Sequence, residues 1–201
     1  MTLIVKETGY RIDFTFAMTV TLMLLLCSED MVILCLLSSM LHEIGHLFFM
    51  YIFHQKVESV TFGAFGVRIQ RHIDSALSYK KEAVIALGGI LINFLIAIFS
   101  YLYYYLWRSD FALKLAIVNI IIAVFNTVPI EVLDMGRFIR YVLLIFAEEN
   151  LCDRILKIIS VIFVNILAIL CVYYSLFIGI NISFIAVTLY LYIITLIKKW
   201  S

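Results

Sequence analysis

Residues 31–53 read MVILCLLSSMLHEIGHLFFMYIF, an apolar run long enough for a helix to cross a hydrocarbon core of roughly 30 Å, with His42, Glu43 and His46 near its middle. Burying a carboxylate and two imidazoles there costs several kcal/mol unless they find partners, so ionisable residues at this depth point to function by default. The spacing supplies a partner. On a helix, residues i and i+4 share one face with Cβ atoms about 5 to 6 Å apart, so both imidazoles can reach one metal ion while Glu43 points beside it. In an H-E-x-x-H arrangement the two histidines bind zinc and the glutamate is the general base for the bound water, whose pKa the metal lowers towards about 7. A lone histidine on an apolar helix is more often a satisfied core residue. Two of them with a glutamate, on an inward stripe with Cys35, Ser38 and Ser39, argue against a purely structural role.

Composition puts the whole chain in the same solvent. Of 201 residues, 65% are hydrophobic and 14% charged, with one proline and a mean hydropathy of +1.10; an ordinary globular domain is roughly 45 to 50% apolar and about 25% charged. This is the composition of an all-α polytopic membrane protein. The 15 Lys and Arg against 14 Asp and Glu leave no clustered basic footprint, which excludes nucleic acid as a partner and points to the lipid bilayer and to lipid-embedded or small partners. Cys27, Cys35, Cys152 and Cys171 form no CxxC pair, so they read as buried, reduced thiols rather than as a disulfide framework or a thiolate zinc cluster.

Six stretches are apolar enough to be read as spans: Phe14 to Cys27, Met31 to Phe53, Ala83 to Trp107, Phe111 to Val128, Ser160 to Ile178 and Ile180 to Ile197. The first would run only about 21 Å as a helix, so it is tilted, extended by its flanks, or not a full crossing. It lacks the small-residue cleavage site of a signal peptide. Alternating the loops across the bilayer gathers all of the 15 Lys and Arg on one side except Arg108 and Lys114, which by the positive-inside rule places both termini and the long loops in the cytoplasm of a multi-pass cell-membrane protein. The tyrosines and tryptophans near span ends, such as Tyr103, Tyr104, Tyr105, Trp107 and Trp200, read as interface anchors, and His54 and His72 as surface residues.

Between the spans, Val57 to Arg71 (VESVTFGAFGVRIQR) is rich in β-branched residues, Phe and Gly with rough alternation. It reads either as a small hairpin at the membrane edge, which could pair with an extended peptide, or as a plain interfacial turn. Phe138 to Lys157 mixes apolar and charged residues at helical spacing and reads as an interfacial helix.

Two imidazoles do not complete a zinc site, because a catalytic zinc takes three protein ligands and leaves a fourth position for water. Acidic residues near the spans are few, and Glu131 and Asp134 follow the fourth span in NTVPIEVLDMGR, residues 126–137. Pro129 cannot continue a helical hydrogen-bond ladder, and broken backbone at membrane depth is tolerated where it lines protein or a watery cavity. A broken segment with an inward carboxylate suits a third ligand. Asp134 is favoured, with Glu131 as the alternative.

At these residues the chain resembles the site-2 proteases, zinc metalloproteases that cut peptide bonds within the membrane. The resemblance rests on His42-Glu43-Ile44-Gly45-His46 and on Asn126 to Arg137, which is similar to the family pattern N-x-x-P-x-x-x-L-D-G. A weaker echo is Gly88-Gly89-Ile90-Leu91-Ile92-Asn93, similar to the family's A-G-P-x-x-N, and Phe62 to Val67 looks like its membrane-edge strand. The resemblance implies a zinc endopeptidase with His42, His46 and Asp134 as metal ligands, Glu43 as general base, Asn126 steadying substrate or oxyanion, and Phe65 and Gly66 contacting substrate. Met135 stands where the family usually has glycine, and Ile90 where it has proline. The compact architecture is most similar to the stage IV sporulation protein FB branch, though with no CBS or PDZ domain expected.

By this likeness residues 1–201 form one integral membrane protease domain, with 31–137 as the catalytic core helices and 138–201 as an interfacial helix and two spans. Its expected partners are a membrane protein or membrane-associated peptide substrate, such as a membrane-tethered transcription factor or sigma-factor precursor, and membrane regulatory proteins. The rival reading is a divalent metal-ion transporter using the same His and Glu residues. Against it, the other spans carry no second His or carboxylate stripe and the chain shows no inverted repeat. A membrane di-iron oxidase would need more than the 4 histidines present.

Overall fold

The computed structural model describes residues 2–5, 8–12, 29–55, 57–63, 66–71 and 77–197. Phe14 to Cys27, the first of the expected spans, falls outside these residues, as do Phe65 and His72. The chain divides into two compact units, Met1–Phe125 and Asn126–Ser201.

In the first unit, strands β1 (Thr2–Val5), β2 (Thr8–Ile12), β3 (Val57–Gly63) and β4 (Gly66–Arg71) make one four-stranded sheet in the order β1-β2-β3-β4. β1 and β2 pair antiparallel, as do β3 and β4, with a register irregularity between Val57 and Ser59. β2 and β3 are parallel, Gly9 opposite Ser59 and Ile12 opposite Phe62. The all-α expectation is therefore corrected in one respect: the strands at residues 57–71 belong to a larger mixed sheet begun by the chain's first residues. Parallel neighbours require a long crossover, and helix α1 (Glu29–Ile52) lies within it.

Helix α1 turns Ser38, His42 and His46 inward and leaves many of its large apolar side chains exposed. Leu34, Ser38, His42, His46 and Met50, four residues apart, form the buried stripe, whereas Ile44 and Phe48 are 51% and 53% exposed. In water that pattern would be unstable; in hydrocarbon it is the favourable one, because lipid solvates the large side chains and leaves the polar ones to pair inside. Cys35 and Ser39, expected on the inward stripe, are exposed. By helical period alone Cys35 lies within about 20° of His42, so its exposure reflects which stretch of α1 the neighbouring elements cover rather than the direction in which it points.

Helix α2 (Tyr79–Trp107) packs closely on α1, because Gly45 and Gly88 face each other. A methyl group on Gly88 would lie 2.5 Å from the Gly45 carbonyl oxygen, so the small pair lets the two backbones approach as they do at close helix crossings in membranes. Helix α3 (Asp110–Asn126) buries Ala112, Ala116, Asn119 and Ala123. Asn119 Nδ2 donates to Ser38 Oγ at 2.9 Å, which ties α3 to the turn of α1 before His42.

The second unit begins where α3 ends. Pro129 interrupts the helix, and residues 127–133 run as turns in which Ile130 N–H donates to the Val128 carbonyl and Leu133 N–H to the Ile130 carbonyl. Helix α4 (Asp134–Leu143) follows, then α5 (Glu149–Phe177) and α6 (Ile182–Ile197). The fully buried Ser160 on α5 accepts the Glu131 N–H at 3.0 Å, satisfying a loop donor that the broken helix leaves over. The expected interfacial helix at Phe138 to Lys157 is corrected: α4 stops at Leu143 and Glu149 starts one continuous helix to Phe177. Nothing in residues 149–177 breaks a helix, since they contain neither Gly nor Pro. Arg140 holds the turn between the two helices, with Nε 2.8 Å from Asp153 and an Nη 2.7 Å from Glu149. The Asp153 hydrogen bond, with help from Glu149, raises the pKa of its guanidinium above the ordinary value.

Gly136, rather than the neighbouring Met135, meets the broken loop. A Cβ there would strike the Ile130 carbonyl and the Glu131 backbone. Backbone cannot rotate away as a side chain can, so Gly136→Ala should destabilise the second unit by about 1 to 3 kcal/mol, the usual range for forced overpacking. Thermal melting of the purified chain in micelles measures this, and an unchanged midpoint would show that the loop can retreat.

Among the described residues, three helices are long and apolar enough to cross a membrane: Asp30–Ile52, Tyr79–Trp107 and Glu149–Phe177. Helices α3 and α6, with 17 and 16 residues, would run only about 26 and 24 Å. The chain is a membrane protein, and the full set of six spans is not seen.

Candidate metal centre

Two adjacent turns of α1 present His42 and His46 on its buried stripe, 6% and 8% exposed. Their Nε2 atoms are 3.3 Å apart, with the rings near perpendicular at 80°. Each ring is held from behind by α2. His46 Nδ1 lies 2.8 Å from the backbone carbonyl of Ile85, and His42 Nδ1 lies 3.1 Å from Oδ1 of the fully buried Asn93. A carbonyl oxygen can only accept, so His46 carries its proton on Nδ1 and, as a neutral imidazole, presents a bare lone pair at Nε2. The same logic applied to Asn93 Oδ1 puts the His42 proton on Nδ1 and makes its Nε2 the acceptor nitrogen.

With both Nδ1 atoms facing oxygen acceptors, the Nε2 atoms 3.3 Å apart can share one cation, a proton or a metal ion. Oxygen acceptors behind metal-binding imidazoles play this part generally, fixing both tautomer and ring orientation. The floor beneath the rings is Gly89. A methyl there would lie 2.5 Å from the His42 Nε2 and 2.6 Å from the His46 Nε2, so α2 can approach the imidazoles this closely only without a side chain.

Asp134 is the first residue of α4 and is 5% exposed. A carboxylate in the first turn of a helix is favoured by the unpaired N–H groups there. His42, His46 and Asp134, all buried, form a group able to hold a metal ion, each contributing one ligand atom. Glu131, the alternative carboxylate, is not in that group; its backbone is occupied by Ser160. Glu43 follows His42 on α1 and is half-buried, and Asn126 is the last residue of α3, also half-buried. Gly66 opens β4 opposite Gly63.

No protein-family model and no curated protein matches the chain. Among solved structures it is similar to the site-2 protease from Methanocaldococcus jannaschii, with a TM-score of 0.70 and 19% identity over 100% of this chain and 97% of that one. The chain shares the fold of a site-2 protease. At that identity the likeness is one of fold, and the chemistry must be argued from the residues themselves.

Within the site-2 protease fold, three contributors carried no clear signal in the sequence. The Ile85 carbonyl is a backbone atom, which no motif can mark. Gly89 and Asn93 stood in a motif echo, but read as a close-packing glycine and an interhelical amide. Their placement against the two imidazoles depends on how α2 is rotated against α1.

Proposed function

We propose that the chain is a zinc-dependent intramembrane endopeptidase, with His42, His46 and Asp134 as the metal ligands and Glu43 as general base. The observation that supports this reading is the pair of imidazoles whose Nδ1 atoms each face an oxygen acceptor and whose Nε2 atoms lie 3.3 Å apart. A neutral imidazole pair with a carboxylate is the donor set of many catalytic zinc sites. Bound there, zinc would supply Lewis acidity that makes a water more acidic and a carbonyl more electrophilic. Glu43 takes the water's proton and returns it to the leaving amine nitrogen, the two halves of general base and general acid catalysis. Asn126, at the end of α3, steadies the substrate carbonyl by donating from its amide.

The substrate is a membrane protein segment. A helical peptide cannot present its carbonyls, because they are already hydrogen-bonded, so the segment has to unwind before it reacts. Strand β4 ends the sheet order and can receive an extended segment as an added strand, with Gly66 as its first residue and Phe65 preceding it in the sequence. The lysine and arginine distribution supports a six-span arrangement with both termini in the cytoplasm, residues 31–137 acting as the catalytic core and product leaving on the cytoplasmic side. A membrane-tethered transcription factor, including a sigma-factor precursor of the kind cut in the sporulation branch, fits that release side.

Purified chain reconstituted in liposomes should carry one zinc per chain and cut a single-span reporter peptide, and His46→Ala should lose both properties. Absence of zinc from the wild-type protein would end this reading, and ion flux into the liposomes without cleavage would replace it with transport.

A further inference from the structure

Asn93 is completely buried on α2, yet only half of its amide is used. Oδ1 meets His42 Nδ1 at 3.1 Å, while Nδ2 has no hydrogen-bond partner among the described residues. A buried donor without an acceptor opposes folding, and an aliphatic side chain of the same volume would avoid that penalty. The amide offers one thing that an aliphatic group cannot, an oxygen facing Nδ1 of His42. On the zinc-site reading given above, we infer that Asn93 is a positioning residue, whose Oδ1 holds His42 in the tautomer and ring orientation that leave Nε2 free for the metal.

The two histidines are secured unequally. His46 donates to the backbone carbonyl of Ile85, an acceptor that no substitution at that position removes. At His42 Nδ1 the acceptor is a side-chain oxygen, which a substitution does remove. Without an oxygen there, the buried Nδ1–H of His42 loses its partner. The ring then turns to find another, or moves its proton to Nε2, and either change withdraws the nitrogen from the ion. The Ser38–Asn119 hydrogen bond lies one turn earlier on α1 and involves neither imidazole, so it does not substitute for Asn93.

The test measures zinc affinity of the full chain in micelles by competition with a chromogenic chelator, beside the melting point of each metal-free protein. Asn93→Leu removes the acceptor at similar volume and should weaken zinc binding by about 10- to 100-fold, with no fall in the metal-free melting point. Asn93→Ala, which adds no bulk, repeats the loss of acceptor. Asn93→Asp keeps an oxygen at the same reach and should restore wild-type affinity. Undiminished zinc binding in both Asn93→Leu and Asn93→Ala, or an equal loss in Asn93→Asp, overturns the inference and leaves the zinc site standing. A wild-type chain that takes up no zinc overturns the site and the inference together.

Discussion

On the proposed zinc-endopeptidase reading, a Glu43→Gln variant should keep its zinc while peptide-bond cleavage falls by about 100- to 10,000-fold, the span that a positioned general base contributes. Glutamine matches glutamate in size and reach but has no carboxylate to accept a proton from water, so the variant removes one chemical capacity and little packing. Metal retention follows from the site's construction. The candidate ligand group is His42, His46 and Asp134, and both imidazoles keep their oxygen partners on α2. Cleavage of a single-span peptide in liposomes, followed by mass spectrometry of the products and elemental analysis of the protein, reads both quantities. Wild-type cleavage in this variant would place the base elsewhere. Loss of zinc would instead make Glu43 a ligand.

Gly89→Ala separates the metal centre from the fold. The added methyl would meet the Nε2 atoms of His42 and His46 at 2.5 and 2.6 Å, well inside contact distance. Both are the far ends of rotatable side chains rather than backbone, so the helices can stay packed through Gly45 and Gly88 while the rings swing aside. Metal–nitrogen bonds tolerate only a few tenths of an ångström of misplacement. Zinc affinity should therefore drop by about 100-fold or more, with the metal-free melting point little changed. Unaltered affinity would mean that the imidazoles bind from a different rotamer, and would remove Gly89 from the account. The contrast with Gly136→Ala is physical: that methyl meets a backbone carbonyl, which cannot move aside, so stability rather than metal binding should suffer.

Membrane residence and the apolar helices were legible because both rest on a local pattern, apolar length; at residues 57–71 the β-branched alternation left a hairpin and a plain turn both open. The sheet as a whole was not legible. β1 and β2 are short, and the β2–β3 pairing joins residues some fifty positions apart, so neither leaves a local trace. The misread helix at Phe138 to Lys157 has a related cause. Charges in residues 149–157 look like the edge of a membrane, whereas Arg140 absorbs Glu149 and Asp153 at the turn and lets α5 begin early. On α1 the helical period groups Cys35 and Ser39 with His42 but does not say which part of that face the neighbouring elements cover. Ser38 is buried and Cys35 and Ser39 are not.

What the sequence determined by itself was that His42 and His46 share a helical face and that this face lies in a lipid-solvated protein, since both follow from helix period and from apolar content. Only the tertiary structure decided which ring nitrogen is left bare. That choice belongs to the Ile85 carbonyl and the Asn93 amide, 39 and 51 residues further along the chain, because an imidazole's proton settles on whichever nitrogen finds an acceptor, and the acceptors arrive only when α2 packs against α1.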